Sequence, residues 1–294
     1  MKILLSAVGG MPSVSIIQFL KSKGYYVIGI DSSSEAIGKY FCNEFYVSPF
    51  VVNKIEYIEF IKRLDFDIFF PWLDEEHILF ANNKIPDDLS SKIVTSPKES
   101  ILIATSKIKT FLFAKKNNIN VAPLTNTTPA FIRKDFSRGS KNAYIEENIY
   151  NLTTKLNDDN FLVQEVLTGE EYTIDILTSQ DYFFAVPRKR ISSTNVSLIG
   201  EIDMNSEIIS FAKKIVSKLD FFGPINIQII RSNIDNKLFL IEINPRLAGT
   251  VILSIKGGFN ILEETIKLIK KQEIKGFTVK DKLRMSRYLS EVFL

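Results

Sequence analysis

The sequence has few of the side chains on which metal-centred and nucleophilic catalysis most often depends. Its 294 residues include one cysteine, Cys42, and one histidine, His77. A single cysteine excludes a disulfide within the chain and a multi-cysteine zinc site, and a single histidine excludes a metal site built from several imidazoles. A Ser-His-Asp triad would have to use His77 itself as its base. Any catalysis is therefore expected to use carboxylates, amides, lysines and arginines.

Long apolar runs and concentrated positive charge are absent as well. No stretch approaches the roughly 20 apolar residues that a helix needs to span a bilayer. The apolar residues 3–8 end at Gly9-Gly10, which predicts a strand entering a tight turn rather than a signal peptide. The net charge of +3 is spread evenly and forms no dense basic run with interleaved aromatics. We therefore expect a cytoplasmic globular protein with neither nucleic-acid nor membrane partners.

Strands and helices are predicted to alternate over residues 1 to about 95. An apolar strand at 3–8 precedes an amphipathic helix at 13–22 and a second strand at 25–30. Further elements of the same kind are predicted at 68–71 and 75–82. This alternation favours a parallel, doubly wound sheet. We therefore predict a βαβ domain at 1–95, followed by a second domain at 96–294.

The turn at Gly9-Gly10 raises the alternative of a nicotinamide-dependent oxidoreductase. Asp31 follows the turn by about twenty residues, where an acid that binds a dinucleotide ribose would stand. The glycine fingerprint is incomplete, however, because Met11-Pro12 occupies the turn and no second spaced glycine follows. This alternative is therefore the weaker one.

The most informative pattern is a pair of predicted strands around residues 225–228 and 242–246. The intervening residues are β-rich and contain a turn-like segment at 233–236. If the two strands are antiparallel neighbours, Gln228 lies beside Glu242.

Alternation along the second strand predicts which of its side chains lie together. Glu242, Asn244 and Arg246 would share one face, while Ile241 and Ile243 would point into the core. Oxygen-bearing side chains suit magnesium ions that bridge to nucleotide phosphates. The alternative is a polar strand edge that ends at a proline.

The ordered set of unusual residues resembles the ATP-grasp superfamily, most closely carbamoyl-phosphate synthase large-chain ATP-binding domains and small amino-acid ligases. The resemblance runs from about residue 95 to 260, and its most specific part is Ile-Glu-Ile-Asn-Pro-Arg at 241–246. It implies an α/β and α+β fold. A doubly wound parallel βαβ domain would precede an ATP-grasp fold, with a small lid subdomain at about 111–168 and a larger antiparallel-sheet subdomain.

The resemblance also implies a role for individual residues. Lys107, in Ser-Lys-Ile-Lys-Thr at 106–110, and Lys134, at the end of a strand, would bind the nucleotide phosphates, and residues 137–142 would cover them. The other implied nucleotide contacts are the adenine hinge and ribose residues Glu165, Val166, Leu167 and Glu171, together with Gln228. The implied metal ligands are Gln228, Glu242 and Asn244. Arg246 and Lys134 would be catalytic and would stabilise the transferring phosphoryl group.

Three further residues are predicted to contact substrate. Arg188 and Arg190 end a predicted strand and could bind a carboxylate through paired hydrogen bonds, although a surface basic cluster explains them nearly as well. Gly258 belongs to a loop that resembles one lining the acceptor pocket. His77, in Asp-Glu-Glu-His, is explained most simply as part of a helix N-terminus.

The resemblance implies a ligase that uses ATP and Mg²⁺, with Mn²⁺ as an alternative metal, to join a small carboxylate and an amine through an acyl phosphate. The carboxylate would be an amino acid, a peptide or a carboxylated sugar. A homodimer formed through the N-terminal domain is common among such proteins. The alternative outside enzymes is an ATP-binding protein of the same fold that does not turn over.

Overall fold

The computed structural model describes residues 1–136, 142–192, 198–274 and 276–293. Within these residues the strands form three sheets of four, six and three strands. No helix of the described chain is long and apolar enough to cross a membrane. The predicted phosphate-covering segment 137–142 lies outside the described residues except for Asn142.

The first sheet is entirely parallel, with strand order β3-β2-β1-β4. Its strands are β1 (Lys2–Leu5), β2 (Tyr26–Asp31), β3 (Glu44–Val47) and β4 (Ile68–Phe70). Its helices are α1 (Ser13–Ser22), α2 (Lys54–Lys62), α3 (Asp74–Asn82) and the short α4 (Asp87–Ser90). The predicted parallel βαβ arrangement is confirmed.

Helices cover both faces of this sheet because the side chains of β1 alternate between them. Ile3 and Leu5 pack with Ile16 of α1, whereas Leu4 packs with Tyr57 of α2 on the other face. All five side chains are at most 1% exposed. A strand that is apolar on both faces is expected when both faces of a parallel sheet are covered.

Two helices then lead into the rest of the chain, α5 (Lys98–Ala104) and α6 (Lys107–Lys116). The sequence pattern over about 101–118 predicts one continuous helix, and this prediction is wrong. Its interruption has a local cause, since the Ser106 hydroxyl accepts a hydrogen bond from the Lys109 amide at 3.1 Å. A serine that caps a helix in this way starts a new helix at the next residue.

The six-stranded sheet is antiparallel, with strand order β12-β11-β8-β9-β10-β13. Its strands are β8 (Gly169–Ser179), β9 (Tyr182–Arg190), β10 (Ile199–Ile202), β11 (Gly223–Ser232), β12 (Leu238–Asn244) and β13 (Arg284–Ser286). The helices α8 (Ser206–Val216), α9 (Ile252–Lys256) and α10 (Ile261–Ile269) accompany it. Ile208 of α8 packs with Ile174 and Ile227, and Leu253 of α9 packs with Val186 and Ile3. The second contact joins this sheet to the parallel one in a single hydrophobic core.

The three-stranded sheet is the smallest unit and has strand order β6-β5-β7. It consists of β5 (Ala130–Lys134), β6 (Ala143–Glu146) and β7 (Phe161–Glu165), with α7 (Ile149–Leu156) packed against it through Leu152. This sheet lies within the range 111–168 predicted as a lid. The bounds of the lid and of the domains 1–95 and 96–294 stay predictions.

His77 lies inside the core of the N-terminal unit, where burial lowers the pKa of its imidazole to about 4 against an opposing effect of Asp74. Its Nδ1 lies 3.0 Å from Thr95 Oγ1, and its Nε2 lies 3.4 Å from the Pro71 carbonyl oxygen. The side chain is 1% exposed. It is not one of the described residues that line the cavity of about 630 Å³ between the three-stranded and six-stranded sheets.

The buried imidazole of His77 makes the free energy of unfolding depend on pH. The unfolded chain binds a proton to His77 near pH 6.5 and the folded chain only near pH 4, so the contribution of His77 to the free energy of unfolding is expected to fall as the pH drops between these values. The maximum contribution is about 3 kcal/mol. Because the chain has one histidine, its imidazole resonance can be followed unambiguously by NMR. In His77→Gln this part of the pH dependence should disappear, and an imidazole pKa near 6.5 in the folded protein would contradict the prediction.

Candidate active site

A cavity of about 630 Å³ lies between the three-stranded sheet and the six-stranded sheet. This volume is within the range of small-molecule and cofactor sites, about 300–1,000 Å³. The turn after β1 closes one end through Met11 and Pro12, and the link between β7 and β8 lines another part through Val166 and Leu167. The cavity is therefore large enough for a small-molecule or cofactor ligand.

The pairing of β11 with β12 brings the polar residues of both strands into this cavity. Gln228 lies opposite Glu242, and Asn226 lies opposite Asn244. All four line the cavity. The predicted antiparallel pairing of Gln228 with Glu242 is thus present in the register.

A β-bulge interrupts the same pair of strands at Ile241. The register passes from Gln228 opposite Glu242 directly to Ile229 opposite Leu240, so Ile241 has no partner on β11. An extra residue of this kind disrupts the alternation of side chains. As a result Ile241 lines the cavity, and the prediction that it points into the core is wrong, whereas Ile243 is buried as predicted.

A chain of hydrogen bonds holds the polar side chains of β12 in place. Asn244 Nδ2 donates to Glu242 Oε1 at 3.0 Å and to Asn226 Oδ1 at 3.2 Å. Arg246 Nη2 donates to Asn244 Oδ1 at 3.2 Å, and Asn226 Nδ2 donates to the Arg246 carbonyl at 2.9 Å. Groups fixed in this way need little reorganisation when charge develops next to them.

Arg246 forms an ion pair with Asp74, which belongs to the N-terminal unit and is the first residue of α3. Arg246 Nε lies 2.7 Å from Asp74 Oδ1, and Nη2 lies 3.1 Å from Oδ2. Such a fork of two hydrogen bonds fixes the guanidinium plane. Sequence reasoning missed Asp74, because an acid in the first turn of a helix is sufficiently explained by the helix dipole.

Lys107 lines the same cavity at the start of α6. Its Nζ donates to the Asp135 carbonyl at 3.2 Å. Burial lowers the pKa of this ammonium group, and the negative charge of Glu242 opposes that shift. Lys107 therefore lies within electrostatic reach of the carboxylate predicted to bind metal.

At the end of β5 the structure brings a different residue to the cavity from the one predicted. Arg133 lines the cavity, with Nη1 2.8 Å from the Ile241 carbonyl and Nη2 2.5 Å from Gln164 Oε1. Lys134 is exposed and is not among the described lining residues. Neighbouring side chains of a strand point to opposite faces, and Phe131 shares the cavity face with Arg133. Alternation counted from Phe131 would have favoured Arg133.

The residues predicted for adenine and ribose line the cavity together. Glu165 is the last residue of β7, Val166 and Leu167 belong to the link to β8, and Glu171 lies near the start of β8. The Glu165 amide donates to the Pro123 carbonyl at 2.9 Å. Glu171 Oε2 lies 2.7 Å from Arg190 Nη1. Arg190, predicted to bind substrate, therefore lies in the cavity with a carboxylate beside it.

The structure does not place the other two predicted substrate residues in this cavity. Arg188 is 3% exposed and donates two hydrogen bonds to the buried carboxylate of Asp175, at 2.7 and 2.8 Å. Gly258 has φ +110°, and a Cβ there would lie 2.5 Å from the Thr278 carbonyl oxygen. Arg188 therefore neutralises a core carboxylate, and Gly258 permits close packing of the C-terminal segment.

The donor set of the cavity fits a magnesium ion that is shared with a nucleotide. Among the described residues no group of three or more histidine, cysteine, aspartate or glutamate side chains could hold a metal ion. Glu242 supplies one carboxylate, and the amide side chains of Gln228 and Asn244 line the cavity with it. Magnesium is commonly held by one or two carboxylates, with phosphate oxygens and water completing its octahedron. The site therefore suits a metal that arrives with phosphate.

Comparison with known proteins finds the ATP-grasp family that the sequence resembles. The model of the family "ATP-grasp in the biosynthetic pathway with Ter operon" matches residues 157–290. The tyramine–L-glutamate ligase of Methanocaldococcus jannaschii is 26% identical over 235 residues, which are 78% of this chain and 70% of that protein. The carbamoyl phosphate synthase large chain of Agathobacter rectalis is 28% identical over 167 residues, but this chain covers only 15% of its length.

A solved structure shares the whole architecture. The N5-carboxyaminoimidazole synthetase of Staphylococcus aureus, solved with ADP, superposes with a TM-score of 0.74 over 98% of this chain and 82% of that one, at 14% identity. The fold is therefore an ATP-grasp fold. This chain is similar to ATP-grasp carboxylate–amine ligases in the segment that the family model matches, in its curated relatives and in its fold. The family prediction made from residues 241–246 is confirmed, and the oxidoreductase alternative is set aside.

Proposed function

We propose that this chain is an ATP- and magnesium-dependent ligase that joins a small carboxylate to an amine through an acyl phosphate. The observation that carries the proposal is the convergence of Glu242, Asn244 and Arg246 with Lys107 in one cavity. Phosphoryl transfer needs positioning and neutralisation of charge rather than a protein nucleophile. These side chains provide both, in a chain with one histidine and one cysteine.

The nucleotide would lie along the cavity from the link between β7 and β8 to the end of β12. Backbone groups of Val166 and Leu167 would contact adenine beside Glu165, and Glu171 would contact the ribose. Lys107 would bind the phosphates with Gln228. Arg133 takes the second phosphate-binding role that sequence reasoning gave to Lys134, because its guanidinium lines the cavity and the Lys134 side chain does not.

Glu242, Asn244 and Gln228 would hold the magnesium ion, or Mn²⁺ in its place. When bound, the metal would neutralise negative charge on the phosphate oxygens. Arg246, fixed by Asp74 and Asn244, would stabilise the transferring phosphoryl group from the other side.

The proposed reaction has two steps that balance in atoms and charge. A carboxylate oxygen of the substrate attacks the γ-phosphorus of ATP, and the bond to the ADP oxygen breaks. The amine nitrogen then attacks the acyl carbon, the bond from that carbon to the phosphate oxygen breaks, and the nitrogen loses a proton, which the leaving phosphate takes up. Phosphate leaves and an amide remains. Closure of the three-stranded sheet over the cavity would exclude water, which would otherwise hydrolyse the acyl phosphate.

An amino acid, a peptide or a carboxylated sugar would serve as the carboxylate. The relative named tyramine–L-glutamate ligase supports the first of these, since that name joins an amino acid to an amine. A homodimer formed through the N-terminal unit and a cytoplasmic location stay predictions.

The test is a screen in which hydroxylamine replaces the amine. Wild-type protein is incubated with ATP, magnesium and single members of a panel of amino acids, peptides and uronic acids, and both ADP and hydroxamate are measured. We expect at least one carboxylate to raise ADP release and to yield its hydroxamate in equal amount. If the protein binds ATP but releases no ADP with any carboxylate of the panel, the result would instead favour a nucleotide-binding protein that does not hydrolyse or transfer phosphate from ATP.

A further inference from the structure

The arginines in and around the cavity differ in how their charge is balanced. Arg246 is paired with Asp74, Arg190 with Glu171, and the nearby Arg188 with Asp175. Arg287 also lines the cavity, but no carboxylate of the described residues lies within 4.0 Å of its guanidinium.

The surroundings of Arg287 are those of a cation without a counter-charge. Its Nη2 donates to the Gly249 carbonyl oxygen, which is neutral. Burial lowers the pKa of its guanidinium, and the positive charge of Arg188 lowers it further. Arg133 differs, because it has the carboxylate of Glu242 as an electrostatic partner. A guanidinium placed in this way gains most from a bound anion.

The position of Arg287 indicates which part of a ligand it would meet. It follows β13, and its backbone amide donates to the Leu198 carbonyl at 2.9 Å, so the strand fixes its place. The carbonyl that it contacts belongs to Gly249, in the segment that leads away from Arg246. Gly249 also adjoins Pro12 of the turn after β1. Arg287 therefore contacts the segment that begins at Arg246, where phosphoryl transfer is proposed.

We propose that Arg287 binds a second carboxylate of the substrate whose first carboxylate is activated beside Arg246. This inference rests on the proposed ligase function and narrows its substrate to molecules with two carboxylates, such as acidic amino acids. It also replaces Arg188 and Arg190 as the predicted carboxylate-binding pair, since each of those already faces a protein carboxylate.

The test compares Arg287→Gln with the matched control Arg284→Gln. Arg284 lies on the same strand, but its side chain is 60% exposed, it pairs with Glu201 at 3.3 Å and it is not among the described lining residues. The probes are used in pairs, each consisting of a dicarboxylate and the same compound without one carboxylate. L-glutamate and 4-aminobutanoate are the first pair. Steady-state ADP formation is measured with magnesium, ATP and hydroxylamine. Thermal unfolding of each variant verifies that it is folded.

We expect the wild-type protein to prefer the dicarboxylate of a pair. In Arg287→Gln, KM for that dicarboxylate should rise about 10- to 100-fold, as for the loss of a charged hydrogen bond, while KM for ATP stays within about twofold. Arg284→Gln should match the wild-type protein. The proposal would be overturned if the wild-type protein used the monocarboxylate as well as the dicarboxylate. It would also be overturned if Arg287→Gln did not differ from Arg284→Gln, or if only KM for ATP changed.

A separate measurement distinguishes failure of this inference from failure of the ligase function. If the wild-type protein releases no ADP with any probe, the ligase function fails, and binding of the same probes is measured by thermal shift with ADP and magnesium. A dicarboxylate-dependent shift that is lost in Arg287→Gln would still support the anion site. No shift with any dicarboxylate, or one that Arg287→Gln retains, would overturn it.

Discussion

Glu242→Gln is expected to lower magnesium-dependent ADP formation by at least about 100-fold while the protein stays folded. Glu242 is the cavity carboxylate on the strand that faces Gln228, and Asn244 Nδ2 donates to it at 3.0 Å. Glutamine preserves the shape and one oxygen but removes the charge that a magnesium ion needs. The variant should therefore lose turnover rather than stability.

The measurement is steady-state ADP release at saturating ATP over a range of magnesium concentrations. Glu201→Gln is the matched control, because Glu201 lies on β10 and pairs with Arg284 outside the cavity. The control should retain wild-type activity. Wild-type ADP release by Glu242→Gln would remove Glu242 from the proposed metal site.

Asp175→Ala is expected to lower the free energy of unfolding by about 3–5 kcal/mol. The Asp175 carboxylate is 1% exposed and accepts two hydrogen bonds from Arg188 and one from Ser254 Oγ at 2.5 Å. Its removal leaves the buried guanidinium of Arg188 without a counter-charge. Breaking one partner of a buried pair costs more than the pair itself contributes.

Urea unfolding monitored by circular dichroism measures this loss. Asp65→Ala serves as the control, since the exposed ion pair of Asp65 with Lys2 should contribute little. In the double variant Asp175→Leu/Arg188→Met most of the stability should return, because no unpaired charge is left in the core. A loss below about 1 kcal/mol in Asp175→Ala would contradict the account of Arg188 as a structural residue.

The pairing of Gln228 with Glu242 could be predicted because it depends on local rules. A polar turn between two β-rich segments brings the strands together, and alternation selects the side chains that share a face. The bulge at Ile241 could not be predicted in this way. It is a property of the two strands together, and the sequence of β12 alone does not show which of its residues lacks a partner.

The partners of the arginines also could not be predicted from local sequence patterns. Arg246 meets Asp74 across 172 positions of the chain, and Arg287 meets the Gly249 carbonyl across 38. Only the packing of the N-terminal unit and of β13 against the six-stranded sheet brings these groups together. Lys134 is a different case, because alternation along β5 was available and would have selected Arg133.

If an acyl phosphate connects ATP cleavage to amide formation, one carboxylate oxygen of the substrate must end in the released phosphate. A carboxylate substrate from the hydroxylamine screen is labelled with ¹⁸O in its reacting carboxylate, and the released phosphate is analysed by mass spectrometry. We expect one ¹⁸O atom in each phosphate formed with product, since the bridging oxygen leaves with phosphorus. Amide formation that yields only unlabelled phosphate would contradict this expectation.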